Sequence, residues 1–524
     1  MTDADLVLIN GNILTMNSSK PIAEAIAIKK DRIVKVDTDN EINSFVTKAT
    51  KIINLHGKTV VPGLIDSHIH VVDFGKYLTW INLQNVKSIK ELQRKVKERS
   101  QKIAKERWII GQGWNQKLFS EKRYPTSKDL DKASTNNPVI LYHQCGRVCL
   151  VNSKALDLAG INKKTISPAR GEIEKDPKTG EPTGILRESA TDLVWEKIPS
   201  PSEEEIIEAA NFASKKIIES GITCVHWIVT SSNEISIIKR LISENKLPIR
   251  ALIIGPTKIL EEINNLDLIS SEKSSKKIFA IKVFVDGSLA GHTAALNEAY
   301  IDDPKNNGQL FYSQKELDEF VTKAHSSNFS LVIHAMGDKA IDMALKAIEN
   351  VLKIKPKKNL RYRIEHASVL NHDLIQRIKK IGVIVSVQPN CVISEFSVWD
   401  VVNRLGSKRA RMLYPIKTLI SEGIRVIGGS DCPMEPLDPM SGIQAAVTRK
   451  FFPEEQITVD EALQIYTVNA AYSSFEEDSK GSIEKGKLAD LTVLSDNPRT
   501  VPVNEIGNIK VEMTIVGGKI VYQK

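Results

Sequence analysis

The sequence predicts an α/β protein: a (β/α)8 barrel of the TIM type, with a small β-sandwich built from both termini and a lid insertion after barrel strand 1. Three observations carry this expectation. Eight short apolar runs of strand character end near His70, His226, Ile254, Asp286, His334, His366, Gln388 and Asp431, and helical patterns over 202–219, 314–327, 338–352 and 409–421 separate several of them. Both ends of the chain read instead as short alternating strands. The stretch from Val71 to Ser220 is far longer than one crossover helix.

From the N-terminus, Leu6-Val7-Leu8-Ile9, the turn Asn10-Gly11, Ile26-Ala27-Ile28 and Ile33-Val34-Lys35-Val36 make the first strands. Leu491-Thr492-Val493-Leu494 and Val511 to Val516 repeat that character near the C-terminus. Residues 1–60 and 476–524 are therefore expected to form one composite sandwich, and residues 61–475 the barrel. The insertion, about 84–199, carries its own strand at Val139-Ile140-Leu141-Tyr142. Loops after barrel strands lie at the active-site mouth, so this segment is expected to cap the site.

Composition narrows the function class. The 524 residues include 72 basic and 64 acidic side chains, a net charge of +8 without any dense basic block, which argues against nucleic acid as a partner. No apolar stretch approaches the ~20 residues needed to span a bilayer, and the start, Met1-Thr2-Asp3-Ala4-Asp5, is acidic and soon strand-like. A cytoplasmic enzyme acting on a small molecule is the expectation, and a homodimer is compatible with it. Five scattered cysteines, Cys145, Cys149, Cys224, Cys391 and Cys432, read as reduced, mostly buried thiols; the Cys145/Cys149 spacing has no second pair to complete a zinc site.

The chemistry is concentrated at the ends of the predicted strands. Val61-Pro62-Gly63-Leu64-Ile65-Asp66-Ser67-His68-Ile69-His70 closes an apolar run with two histidines one residue apart. Side chains alternate along a strand, so His68 and His70 emerge on the same side and can grip one metal ion. His334 and His366 end buried runs on successive strands, and Asp431 follows the last one. A lone histidine is more often a hydrogen-bonded core or surface residue, which is the reading for His56, His325 and His372; His226 stays open. Asp431 has a rival reading as a helix N-cap.

Lys282 lies inside the apolar run Ile278 to Asp286, where a charged amine is costly unless paired or altered. A buried ion pair, to Asp286 or another inward carboxylate, is one reading. The other is a desolvated neutral amine that reacts with carbon dioxide to give a carbamate able to bridge two metal ions. The surrounding histidines favour the carbamate.

With these residues assembled, the chain resembles the amidohydrolase superfamily, specifically the family-3 amidohydrolases of the YtcJ-like branch that includes N-substituted formamide deformylases. The resemblance rests on Val61 to His70, on Thr467-Val468-Asn469-Ala470-Ala471 and on Gly481 to Asp490. Gly113-Trp114, Asn152 to Leu156, Gly180 to Gly184, Asp286-Gly287-Ser288-Leu289, His334 to Asp338 and Gly429-Ser430-Asp431 mark the branch. It implies a metal-loaded barrel in which His68, His70, Lys282, His334, His366 and Asp431 are the ligand positions. Two departures stand out: Arg147 occupies a position usually held by histidine, and His292 one usually held by arginine. These two are expected to meet at the lid–barrel boundary; independent drift is the alternative.

The expected activity is hydrolysis of an amide, formamide or related C–N bond by a metal-activated hydroxide, with Asp431 as base and then acid. Two divalent ions are expected, zinc foremost, with manganese, iron, cobalt or nickel also accommodated by these donors. Trp114, Arg147, Asp286 and His292 are the substrate-contact candidates. The alternatives are a mononuclear deaminase of aminated rings on the same barrel, which needs no Lys282, and a non-catalytic regulatory homologue, which would have lost ligands.

Overall fold

The computed structural model describes residues 3–144, 148–168, 171–262 and 278–524. The chain divides into two compact units, one made of Met1–Gly75 with Ile206–Lys524 and the other of Lys76–Glu205.

In the first unit, eight parallel strands form a single sheet in chain order: β1 (Leu64–Ile69), β2 (Ile222–Ile228), β3 (Arg250–Pro256), β4 (Ile278–Phe284), β5 (Ser330–Ala335), β6 (Arg363–His366), β7 (Ile384–Val387) and β8 (Val426–Gly428). This is the nearly closed barrel expected from the sequence. Beyond the end of β8, Asp431 N–H donates to the carbonyl of His68 in β1 at 2.7 Å, and His70 N–H donates to the Cys432 carbonyl at 3.0 Å, drawing the segment after β8 against β1. Gly429 permits that approach, since a Cβ there would stand 2.6 Å from the His68 nitrogen.

Helices such as Ser232–Ser243, Gln314–Ser326, Asp338–Ile354 and His372–Ile381 follow the strands. Their apolar faces meet the outward residues of the strands, among them Val225, Trp227, Ile281, Val283 and Ile333, in one continuous core. The expected helix over 409–421 is two helices, Val401–Arg411 and Ile416–Ser421. Pro415 explains the break: its ring disfavours helical backbone at the preceding residue, and Tyr414 adopts φ +47.

The chain ends form two further sheets. One orders Arg32–Asp37, Ala25–Lys29, Leu6–Ile9 and Lys51–Asn54; the other orders Lys519–Gln523, Val511–Val516, Leu491–Leu494, Thr59–Pro62, Asn12–Leu14 and Ile22–Ala23. Leu8, Ile26 and Ile28 from the first sheet pack with Ile13, Val60, Leu491 and Ile515 from the second. The strand Thr59–Pro62 runs through Gly63 directly into β1, which delivers the His-x-His segment to the barrel mouth.

The second unit has a six-stranded sheet, Gly171–Lys175, Pro182–Glu188, Val148–Val151, Val139–His143, Ile109–Trp114 and Ile81–Asn82, with the helix Ile89–Ser100 against it.

Candidate metal centre

Alternation along the strands decides which side chains enter the barrel. On β4, Ile281 and Val283 face the helices, whereas Ala280 lies inside with Ile228, Ile254 and Val332. Lys282 shares Ala280's face and is buried within the barrel. On β5 the inward Val332 sets His334 inward two residues later. On β6, Ile364 faces the helices, so Arg363 and Glu365 face inward, and strict alternation would turn His366 away. The backbone there is left-handed instead, with φ +69 at His366 and +45 at Ala367. Such a conformation costs roughly 1–3 kcal/mol per non-glycine residue. It brings the His366 ring to 4.5 Å from that of His334 and 5.1 Å from that of His68.

The donor atoms converge. His68 Nε2 lies 3.3 Å from Asp431 Oδ1, His70 Nε2 lies 3.4 Å from the same oxygen, and Lys282 Nζ is 3.3 Å from His68 Nε2. One donor atom each from His68, His70 and Asp431 fits within 4.8 Å. Ligands bound tetrahedrally at about 2.0–2.1 Å stand about 3.3 Å apart, so these spacings suit three groups around one ion. The Nδ1 atoms of His334 and His366 are buried and have no hydrogen-bond partner among the described residues. Two orphaned imidazole nitrogens beside that trio are what a metal centre would satisfy.

For His334 and His366 the electrostatics agree with donor roles. Burial, and then the nearby Lys282, push His334 down to about 3, and burial holds His366 well below the ordinary histidine range. Both imidazoles are therefore neutral, the form that binds metal. Burial opposes ionisation of Asp431, but His68 and His70 outweigh it and hold the carboxyl well below the usual range. For Lys282, burial outweighs the attraction of Glu365 and Asp431 and lowers the ammonium to about 8. Among the described residues no carboxylate pairs with it directly.

The other site candidates separate. Asp286 is fully buried and follows β4; its Oδ1 accepts from Met336 N–H at 3.0 Å, and its Oδ2 from Ala295 N–H at 2.9 Å and Gly337 N–H at 2.8 Å. It staples two mouth loops together, which corrects both the substrate-contact reading and the ion pair with Lys282. Trp114 is corrected as well: it is 0% exposed, its indole N–H donates to the Leu141 carbonyl at 2.8 Å, and Phe119, Tyr124 and His143 surround it. It is a core residue of the second unit. His292 meets Asp302 Oδ2 at 2.9 Å and lies tilted against Tyr300, with ring centroids 4.7 Å apart, while an Arg404 nitrogen lies 3.4 Å from its Nδ1. Arg147 lies outside the described residues, and with it the proposed meeting with His292. His226 is buried mid-strand in β2 and accepts from Arg363 at 2.8 Å.

Sequence reasoning missed three residues at the mouth. Glu365 directly precedes a ligand candidate and contacts His68 Nδ1; the inward charged pair Arg363/Glu365 on a buried strand was the available signal. Gln388, the residue after β7, is fully buried, and neither end of its carboxamide has a partner among the described residues. Phe284 closes β4 with its ring 5.0 Å from that of His334 and remains 43% exposed.

Comparison with known proteins gives a consistent result. A model of the amidohydrolase family matches residues 51–522. YtcJ of Bacillus subtilis (strain 168), assigned by name to the amidohydrolases, is 34% identical over 530 residues, covering 98% of each chain. The N-substituted formamide deformylase of Arthrobacter pascens is 28% identical, with 99% of this chain and 98% of that one covered. The crystal structure of a metal-dependent hydrolase from Pyrococcus furiosus superposes with a TM-score of 0.81 at 32% identity, covering 94% of this chain and 100% of that one.

Proposed function

Because this chain belongs to the amidohydrolase family and is thereby a metal-dependent hydrolase, we propose that it cleaves the C–N bond of an amide, formamide or related group. The observation that carries the metal part is the convergence of His68, His70 and Asp431 donor atoms at ligand spacing beside the orphaned nitrogens of His334 and His366. The likeness to a formamide deformylase supports the bond type.

His68, His70, Lys282, His334, His366 and Asp431 would hold two divalent ions, zinc being best matched to nitrogen and carboxylate donors. When bound, such ions supply Lewis acidity toward a carbonyl oxygen and lower the pKa of water to about 7. Lys282 would serve as its carbamate: the neutral amine attacks carbon dioxide, forms an N–C bond and releases one proton, leaving an anion with two donor oxygens. Its burial without a direct carboxylate partner favours that reaction over a static ion pair.

Asp431 is the catalytic residue in this reading. With His70 it is among the more exposed ligand candidates, at 15% and 18%, and of the two it is the carboxylate, the group able to accept a proton from water. Ionised at neutral pH, it takes the proton from the attacking water as the C–O bond forms, then delivers it to the departing nitrogen as the C–N bond breaks. Asp286 keeps the loops beside His334 in register. Gln388 offers one donor and one acceptor to a planar amide, and Phe284 offers an apolar wall.

The test is metal content of the purified protein followed by turnover of N-substituted formamides, simple amides and aminated heterocycles. Two metals per chain with formamide or amide hydrolysis is expected, and Asp431→Asn, which removes both a base and a ligand, should lower kcat by ~10²–10⁴-fold. Ammonia release from heterocycles with a single metal would overturn the reading in favour of a deaminase.

A further inference from the structure

Behind His68, on the side away from Lys282 and Asp431, runs a chain of buried polar groups. Glu365 Oε2 contacts His68 Nδ1. Arg363 donates from Nε to Glu365 Oε1 at 2.9 Å, from one terminal nitrogen to His226 Nδ1 at 2.8 Å, and from the other to the Ser67 carbonyl at 3.0 Å. Arg363, Glu365 and His226 are all 0% exposed. A buried ion pair is weak evidence of stabilisation, because apolar residues of similar volume do as well or better. Its retention at this place needs another reason, and the contacts supply one.

We propose that Glu365, anchored by Arg363, is the positioning residue that selects the metal-binding nitrogen of His68. The inference rests on the metal reading above. Glu365 and Asp431 both only accept, but the Glu365 contact at Nδ1 is the closer, so the proton of a neutral His68 sits on Nδ1 and the lone pair on Nε2. Nε2 is the atom that faces Asp431 Oδ1 and Lys282 Nζ, both at 3.3 Å. Arg363 fixes the carboxylate and also grips the carbonyl of Ser67, the residue before His68, so ring and backbone are held from one guanidinium. His334 is backed differently: its Nε2 lies 2.9 Å from the Gly287 carbonyl, which leaves Nδ1 toward the centre. A carboxylate behind an imidazole makes it the stronger donor and typically raises metal affinity.

The experiment measures zinc affinity by competition with a chromophoric chelator, alongside the melting temperature of the metal-free protein. Glu365→Gln should weaken the tightest zinc by ~10–100-fold, and Glu365→Asp should recover part of it. The double variant Arg363→Met/Glu365→Gln removes the unpaired buried charge, so it should regain melting temperature but not zinc affinity. Recovery of both together would overturn the proposal, since packing alone would then explain the loss, as would unchanged affinity in Glu365→Gln. Should these variants fail to fold, nitrogen-15 spectra of histidine-labelled, zinc-loaded wild type decide the matter: a proton on His68 Nδ1 is expected, and a proton on Nε2 overturns it. Wild-type protein that binds no divalent metal would defeat the metal reading itself, a distinct result.

Discussion

Gln388 is a single buried side chain whose polar ends have no partner among the described residues. Burying a carboxamide without partners costs roughly 1–3 kcal/mol, and this one is at the strand end between the β6 and β8 ligand positions. Gln388→Leu is therefore expected to keep or raise the melting temperature while raising KM about tenfold or more for an amide substrate. An unchanged KM would remove Gln388 from substrate recognition. The same scale separates what residue type reveals from what it conceals. His68 and His70 were legible because their spacing and the apolar run before them put both on one face. Lys282 was legible because a charge does not belong in a buried strand. Trp114 was misread, since a motif position says nothing of burial, and here the indole N–H is satisfied inside its own unit. His366 was named correctly as a strand-end histidine, but only the left-handed backbone turns its ring toward His334.

At the scale of elements, the site depends on how closely β8 approaches β1. The closing hydrogen bonds from Asp431 to His68 and from His70 to Cys432 start beyond the end of β8, so the approach rests on the absence of a side chain at Gly429. Gly429→Ala would place its Cβ against the His68 backbone and push apart the strands that carry three ligand candidates. Overpacking of this kind costs typically 1–3 kcal/mol, so a lower melting temperature and reduced zinc content are expected together. Wild-type values of both would show that the strand ends tolerate the shift. Strand identities followed from apolar runs, whereas the helix over 409–421 was overextended because the periodicity continues across Pro415 and the backbone does not.

For the whole molecule, buried ionisable groups make stability depend on pH. Glu395 is 6% exposed, and its Oε2 has no partner among the described residues; burial, against the pull of Arg404, raises it from 4.5 to about 7. A carboxyl whose folded pKa lies above the unfolded one holds its proton more tightly when folded. Its contribution is complete below about 4.5 and is lost as pH rises toward 7. At ~1.4 kcal/mol per pH unit across that window, the loss is on the order of 3 kcal/mol. Glu395→Gln should thus melt increasingly above wild type as pH rises from about 5 to 8. A constant difference across that range would show that Glu395 ionises freely. The sequence alone determined the barrel and the strands that end in candidate metal-binding side chains, because periodicity and spacing are local and survive without coordinates, and its motifs carried the resemblance that gave the hydrolase class. Only the tertiary structure decided which nitrogen of His68 faces the centre, which acids are already engaged and which polar groups are left wanting. Those contacts join residues far apart in the chain, Glu365 to His68 and Arg363 to His226 among them, and no local pattern encodes such pairings.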